Sequence, residues 1–126
     1  MKAMNLVFLT IFALFIGFAA SSSTWYPEDV AEVMSTHQYK SMLQTGLKEL
    51  CTKTTAHAAE LGCPDIRLVG INAIDMQRVI GKKVRFNLDI ANPQDEVTNV
   101  LVYVVQYPTD DFSFVSSVSF PGAISA

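Results

Sequence analysis

The chain has 126 residues, of which 50% are hydrophobic, and it carries a formal net charge of −3. This length accommodates one domain with a single hydrophobic core. Acidic residues outnumber Lys and Arg by 12 to 9, and the basic residues form no evident cluster. Neither nucleic acid nor an anionic membrane surface is therefore expected as a partner.

The N-terminal residues 1–21 are predicted to be a secretory signal peptide. Lys2 supplies a positive start, residues 6–20 form an apolar run broken by Thr10, and small residues follow from Ala19 to Ser23. A charged start, an apolar stretch and small residues at the cleavage point are the three parts of such a signal. The apolar run is shorter than the roughly 20 residues that span a bilayer.

We expect cleavage between residues 19 and 23, which leaves one domain over residues 22–126. The mature protein is then predicted to be secreted and extracellular, with no membrane contact after cleavage. An uncleaved membrane anchor is the alternative interpretation of the same segment.

Two cysteines, Cys51 and Cys63, lie in the part of the chain that would be secreted. Oxidation is permitted in that compartment, so we predict a disulfide that closes a short loop. A catalytic thiol, or a metal site that includes His57, is the other interpretation. There is no Cys-x-x-Cys spacing, and His37 is the only other histidine, so neither a metal nor a cofactor is expected.

A helix is predicted to begin near Pro27 and to run to about Leu50. Pro27 with Glu28 and Asp29 is typical of a first helical turn. Residues 56–61 favour one more helical turn after a loop. Apolar residues recur at steps of three and four along the main helix: Val30, Val33, Met34, His37, Leu43, Leu47 and Leu50.

Two runs with alternating polarity, residues 66–76 and 83–90, flank the segment Gln77–Gly81. Such alternation predicts half-buried strands, so this segment is the tip of a hairpin. Hairpin tips normally carry polar turn residues, whereas this one exposes Val79 and Ile80. Exposed apolar side chains at a turn indicate a surface that contacts a partner.

The remaining residues predict two further strands and complete the fold class. Residues 97–107 are strongly β-prone, residues 108–111 form a turn, and residues 112–118 alternate with serines. The predicted class is α+β, with one long N-terminal helix packed across a four- to five-stranded antiparallel sheet. The fifth strand would be a short one before the helix, near residues 23–26.

This order of elements resembles the cystatin family of cysteine-protease inhibitors over most of residues 28–120. The hairpin matches the Gln-x-Val-x-Gly pattern of that family, and Pro108 stands where the family places the Pro of a Pro-Trp pair. The resemblance implies a cystatin-like fold and a wedge, formed by the N-terminal segment and two hairpins, that blocks the cleft of a papain-like protease. The implied protease-binding residues are Gln77, Arg78, Val79, Ile80, Gly81, Pro108 and Thr109.

Several positions depart from the family pattern. Thr109 replaces the Trp that follows Pro108 in the family, and Trp is a common anchor of binding energy. No glycine precedes the helix, Ile80 is bulky where the family prefers a small residue, and no cysteine follows Cys63.

Two functions therefore stay open. The first is a secreted, reversible inhibitor of papain-like (cathepsin-type) cysteine proteases, and the second is a non-inhibitory secreted binding or effector protein with the same fold. An enzyme is not expected, because no nucleophile-and-base set or catalytic carboxylate pair can be assembled. We expect a monomer, with a domain-swapped dimer through the first hairpin as the alternative.

Overall fold

The computed structural model describes residues 24–108 and 112–121. The predicted signal peptide, residues 1–21, and Thr109 lie outside the described residues. The elements in chain order are β1 (Trp25–Glu28), α1 (Val30–Val33), α2 (His37–Lys53), a 3-10 turn (Thr55–His57), α3 (Ala58–Leu61), β2 (Arg67–Val79), β3 (Gly81–Ala91), β4 (Val97–Gln106) and β5 (Ser113–Ser119).

The five strands form one antiparallel sheet in the order β1-β2-β3-β4-β5. β2 to β5 are joined as a meander, and β1 pairs with the outer side of β2. This confirms the predicted α+β class and shows that the sheet has five strands. It also confirms the hairpin between β2 and β3.

The predicted helix from Pro27 to Leu50 is divided in the structure. Pro27 and Glu28 belong to β1, α1 has only four residues, and α2 begins at His37. The break is stabilised by Thr36, whose hydroxyl donates to the carbonyl of Val33 at 2.6 Å and accepts from the backbone N–H of Tyr39 at 3.4 Å. The apolar stripe continues across the break, so periodicity alone did not reveal it.

The core lies between α2 and one face of the sheet. Alternate residues of β3, including Val84, Phe86 and Leu88, are fully buried there, as are their partners in β4. Gly46 lets α2 approach β4 closely, because a Cβ on that residue would lie 3.2 Å from Cγ1 of Val102. The core residues are Tyr39, Met42, Leu43, Leu50, Leu61, Ile74, Val84, Phe86, Leu88, Ile90, Val100, Val102, Val104 and Val115.

A disulfide joins Cys51 in α2 to Cys63, as predicted from the sequence, and their Cα atoms are 5.7 Å apart. The residues that it encloses include the 3-10 turn and α3, which together confirm the extra helical turn. The bond therefore fixes the end of α2 to the chain that enters β2. Within the described ranges, no helix has the length and apolar character needed to cross a membrane.

Candidate functional site

The predicted contact residues lie at one end of the sheet. Strand pairing puts Gln77 opposite Lys83 and Val79 opposite Gly81, which leaves Ile80 alone at the apex of the hairpin. The side chain of Ile80 is 84% exposed. The turn is therefore sharper than the predicted five-residue tip, since four of its five residues belong to paired strands.

Gly81 joins this apex to the second hairpin. Its φ is +98°, a region that side-chain-bearing residues rarely adopt. A Cβ on Gly81 would collide with the carbonyl oxygen of Gln106 and would lie 3.1 Å from Cδ of Pro108. The backbone of the first hairpin thus lies directly against the start of the second loop, and only glycine allows both the conformation and the contact.

The end of β4 is also bonded to the first turn of α2. The side chain of Gln106 is 5% exposed, and its carbonyl accepts a hydrogen bond of 2.6 Å from Nε2 of Gln38. Nζ of Lys82 donates to Oε1 of the same Gln38 at 3.1 Å. One helix side chain therefore connects β3 and β4 beside the apex. This arrangement ties the start of β3 to the end of β4.

The N-terminal strand completes this end of the sheet. Trp25 lies opposite Gln77, and its ring is 4.4 Å from the guanidinium carbon of Arg85. Arg85 pairs with Asp75 at 3.0 Å, and the ring of Tyr103 meets Trp25 edge-on at 5.7 Å. These contacts place the side chain of Trp25 on the face of the sheet that α2 does not cover, and they fasten β1 to the edge of the sheet beside β2. We call Trp25, residues 77–83 and residues 106–108 the hairpin edge.

The ionisable groups near this edge show two resolved pKa shifts. Burial, followed by the carboxylate of Glu28, raises the pKa of Tyr39 to about 12. Burial by itself lowers the pKa of Arg85, but hydrogen bonds to Asp75 and Tyr103 outweigh that effect and the net shift is upward. Both groups therefore keep their protons, one neutral and one cationic, at any physiological pH.

Exposed aromatic residues extend the apolar surface beyond the apex. Tyr107 and Phe112, on either side of the second loop, are both exposed, and the backbone N–H of Tyr107 bonds to the carbonyl of Phe112 at 3.4 Å. Their rings lie 5.8 and 6.2 Å from the ring of Phe114. Pro108 is exposed beside them. Tyr107, Phe112 and Phe114 therefore form an aromatic surface beside the apex.

Strand pairing also assembles a group of cations that the sequence interpretation missed. Arg78 and Lys82 are direct cross-strand partners on either side of the apex, and Lys83 follows on the opposite face. The statement that the chain has no Lys/Arg cluster was therefore wrong at this hairpin. The signal was available, because a turn centred on Ile80 puts positions 78 and 82 in register.

Among the residues that the structure describes, neither His37 nor His57 belongs to a group of side chains that could bind a metal ion, and both cysteines are in the disulfide. Across residues 24–108 and 112–121, no group of three or more His, Cys, Asp or Glu side chains is suitably placed to hold a metal ion. His37 is exposed at the start of α2. His57 lines a cavity of about 290 Å³ at the other end of the sheet, where its ring lies 4.8 Å from the ring of Phe120.

No protein-family model, no curated protein and no solved structure matches this chain.

Proposed function

We propose that this protein is a secreted, reversible inhibitor of papain-like cysteine proteases, and a divergent member of the cystatin family. The observation that carries the proposal is the contact between Gly81 and the Gln106–Pro108 segment. It makes the two hairpins one continuous edge, with β1 pairing alongside. Three chain segments at one end of a sheet form a wedge, the shape that suits a narrow cleft.

The physical properties of the edge support blocking rather than catalysis. Ile80 is almost fully exposed, and the strands on either side of it are paired up to Val79 and from Gly81. A partner can bury this side chain with little loss of backbone entropy, because the loop is already ordered. Burying an exposed aliphatic side chain of this size contributes about 1.5–3 kcal/mol.

The proposed compartment rests on two further features. The disulfide between Cys51 and Cys63 is stable in an oxidising environment, and the N-terminal residues have the pattern of a signal peptide. We propose that the mature domain acts outside the cell on cathepsin-type proteases. Processing at residues 19–23 can be checked by N-terminal sequencing of the exported protein.

The direct test is titration of the purified mature protein, residues 22–126, against papain-like proteases with a fluorogenic peptide substrate. We expect reversible inhibition in the micromolar range or tighter, with the inhibitor recovered intact as judged by mass spectrometry. Absence of inhibition at micromolar concentration would contradict the proposal. Cleavage of the chain at the hairpin would identify it as a substrate instead.

A pair of matched variants tests whether the hairpin makes the contact. Ile80→Asp places a charge at the apex and is expected to weaken inhibition about 30-fold, as loss of a binding anchor of about 2 kcal/mol does. Val69→Asp is the control, because Val69 is also a β-branched residue of the same hairpin, 52% exposed, but lies at the far end of β2. Equal effects of both changes would show that the apex is not the contact.

The second candidate function is that of a secreted binding or effector protein that does not inhibit proteases. The observation that favours it is the residue after Pro108, which is Thr109 rather than an aromatic anchor. Thr109→Trp discriminates between the two. A gain in affinity for a papain-like protease would support the inhibitor, whereas a chain that stays inactive in both forms would favour the alternative.

A further inference from the structure

Three cations lie around the apex of the first hairpin, and none of them has a carboxylate partner among residues 24–108 and 112–121. Within the described residues the ion pairs are those of His57, Arg67 and Arg85. None of them involves Arg78, Lys82 or Lys83, the cations nearest the apex. Lys40, Lys48 and Lys53 of α2 also lack an ion pair within these residues, so Arg78, Lys82 and Lys83 are distinguished by their position around one exposed apex.

The arrangement of these cations is unfavourable for folding. Arg78 and Lys82 lie directly opposite each other in the ladder, and like charges in that relation destabilise an antiparallel pair. Lys82 contacts the amide of Gln38 and the ring of Tyr39, and Lys83 lies 5.6 Å above the ring of Tyr103. Polar and aromatic neighbours position these ammonium groups but do not neutralise them.

The local charge is also opposite to that of the whole chain. The net formal charge of the protein is −3, although this end of the hairpin carries Arg78, Lys82, Lys83 and Arg85, of which Arg85 is bonded to Asp75. A basic patch on an acidic protein orients the molecule as it approaches a charged surface, since the potential differs between its two ends. Asp110 and Asp111 lie outside the described residues.

We infer that the cations beside the apex recognise an acidic surface at the rim of the partner's cleft, so that the target is a papain-like protease with negative charge around its active site. This inference rests on the proposed function and specifies its partner. Arg78, Lys82 and Lys83 are positioning residues that accelerate association, while Ile80 and Pro108 supply the apolar contact. The like-charge cost within the free hairpin is relieved when the acidic rim binds.

The surface around the cations favours a protein over a free polyanion. The charges flank an exposed isoleucine and lie at the same end of the sheet as Tyr107 and Phe112. Aromatic residues and arginine are enriched in protein interfaces, which favours a protein as the partner of Arg78, Tyr107 and Phe112. A sulfated polysaccharide would be attracted by the three cations alone and repelled by the net negative charge of the rest of the chain.

The test measures association rate constants by stopped flow, with two papain-like proteases of opposite net charge, at low and high salt. For the wild type and the acidic protease, we expect the rate constant to fall roughly tenfold as ionic strength rises from about 0.02 M to about 0.5 M. Arg78→Glu and Lys82→Glu are each expected to lower the low-salt rate constant about three- to tenfold, with the dissociation rate changed less than about twofold. With the basic protease, the association rate constant of the wild type should rise with ionic strength, and both variants should raise the low-salt rate constant.

Lys48→Glu is the matched control, since it changes the net charge equally from an exposed site in the middle of α2. It should change the rate constant less than about twofold. Both hairpin variants place opposite charges in register, so their thermal midpoints should equal or exceed that of the wild type. A hairpin variant that associates more slowly but has a thermal midpoint at least as high as that of the wild type has lost recognition of the protease and not its fold.

Other results would overturn the inference in distinguishable ways. The inference would be overturned if the association rate constant did not depend on salt and if Lys82→Glu and Lys48→Glu changed it equally. Inhibition itself would then still support the proposed function. No inhibition of either protease would overturn both. Salt-sensitive retention on immobilised heparin that Arg78→Glu abolishes, together with a salt-independent inhibition rate, would assign the cations to a polyanion instead.

Discussion

At the scale of single residues, Gly81 contributes most to the shape of the candidate site. It combines a φ of +98° with a backbone contact to Gln106 and Pro108. The sequence pattern gave only the first of these properties, because a glycine after an exposed apolar turn indicates a positive φ. The close approach of the second hairpin depends on a contact between residues distant in sequence, so it required the structure.

Gly81→Ala is expected to destabilise the protein by about 2 kcal/mol or more, since the new Cβ must occupy a strained conformation and displace the second loop. Gly70→Ala is the matched control in the same hairpin, because a Cβ there meets no atom within 4 Å. That change should be neutral or stabilising by about 0.5–1 kcal/mol. Urea unfolding of both variants measures the difference. Similar losses at both positions would contradict the contact at Gly81.

The buried hydroxyl of Tyr39 is expected to make the free energy of unfolding depend on pH. Its pKa is raised to about 12 in the folded protein, chiefly by burial and then by Glu28, whose Oε1 lies 3.5 Å from the hydroxyl. The unfolded chain therefore releases this proton first as pH rises, and folding loses stability as pH passes from about 10 toward 12. Below pH 10 this contribution is fully present.

We expect the free energy of unfolding of the wild type to fall relative to that of Tyr39→Phe as pH rises from about 10 to 12, because phenylalanine has no proton to release. At pH 8 the two proteins should differ by about 1 kcal/mol or less, since the hydrogen bond to Glu28 is long. Urea unfolding at a series of pH values provides the measurement. Parallel pH curves for the two proteins would show that the pKa of Tyr39 is the same in the folded and unfolded states.

At the scale of secondary-structure elements, the division of the predicted helix is the main departure from the sequence interpretation. The apolar stripe from Val30 to Leu50 was real, but a stripe does not show where the backbone leaves the helix. Ser35 and Thr36 mark that place, because both hydroxyls bond back to carbonyls of the preceding turn. Thr36 then acts as the N-cap of α2.

Thr36→Ala should lower the free energy of unfolding by about 1 kcal/mol, the usual cost of losing an N-cap. Ser35→Ala is the control within the same break, because its hydroxyl bonds to Glu32 but caps no helix. We expect an effect of about 0.5 kcal/mol or less from that change. Chemical unfolding followed by circular dichroism compares the two. A larger loss of stability from Ser35→Ala would show that the hydroxyl of Ser35, at the end of α1, stabilises the break more than the N-cap at Thr36 does.

The strands were predictable because their polarity alternates cleanly, and β3 shows this best: Val84, Phe86 and Leu88 face α2. The disulfide was predictable because only one pair of cysteines exists. The cation group was not found, since Arg78 and Lys82 become neighbours only through the register of the hairpin. Thr109 lies outside the described residues, so its place in the second loop stays a prediction.

At the scale of the whole molecule, stabilising and contacting parts lie at opposite ends of the sheet. The hairpin edge lies at the start of β3, where Gly81 is. The disulfide lies near the other end of β3, where Gly62 approaches Asn92 and Pro93. An 11-residue strand such as β3 spans roughly 35 Å. Changes at one end are therefore expected to leave the other end intact as long as the protein is folded.

The double change Cys51→Ser and Cys63→Ser should lower the free energy of unfolding by about 3 kcal/mol, as expected for a short closed loop. The inhibition constant at 25 °C should change less than about twofold, because the hairpin edge is remote from the bond. Reduction of the wild type should reproduce both results. An inhibition constant that weakens in proportion to stability would show that the two ends are coupled.

The contact at Gly81 also matters for protein engineering. The two loops are spaced by backbone atoms of Gly81 and Gln106 and by the ring of Pro108, so their separation does not depend on the choice of side chain at the apex. Residues 78–80 can therefore be randomised while Gly81 and Pro108 are kept. Such a library would present varied side chains on one fixed frame, and selection against different proteases would reveal which chemistry each cleft accepts.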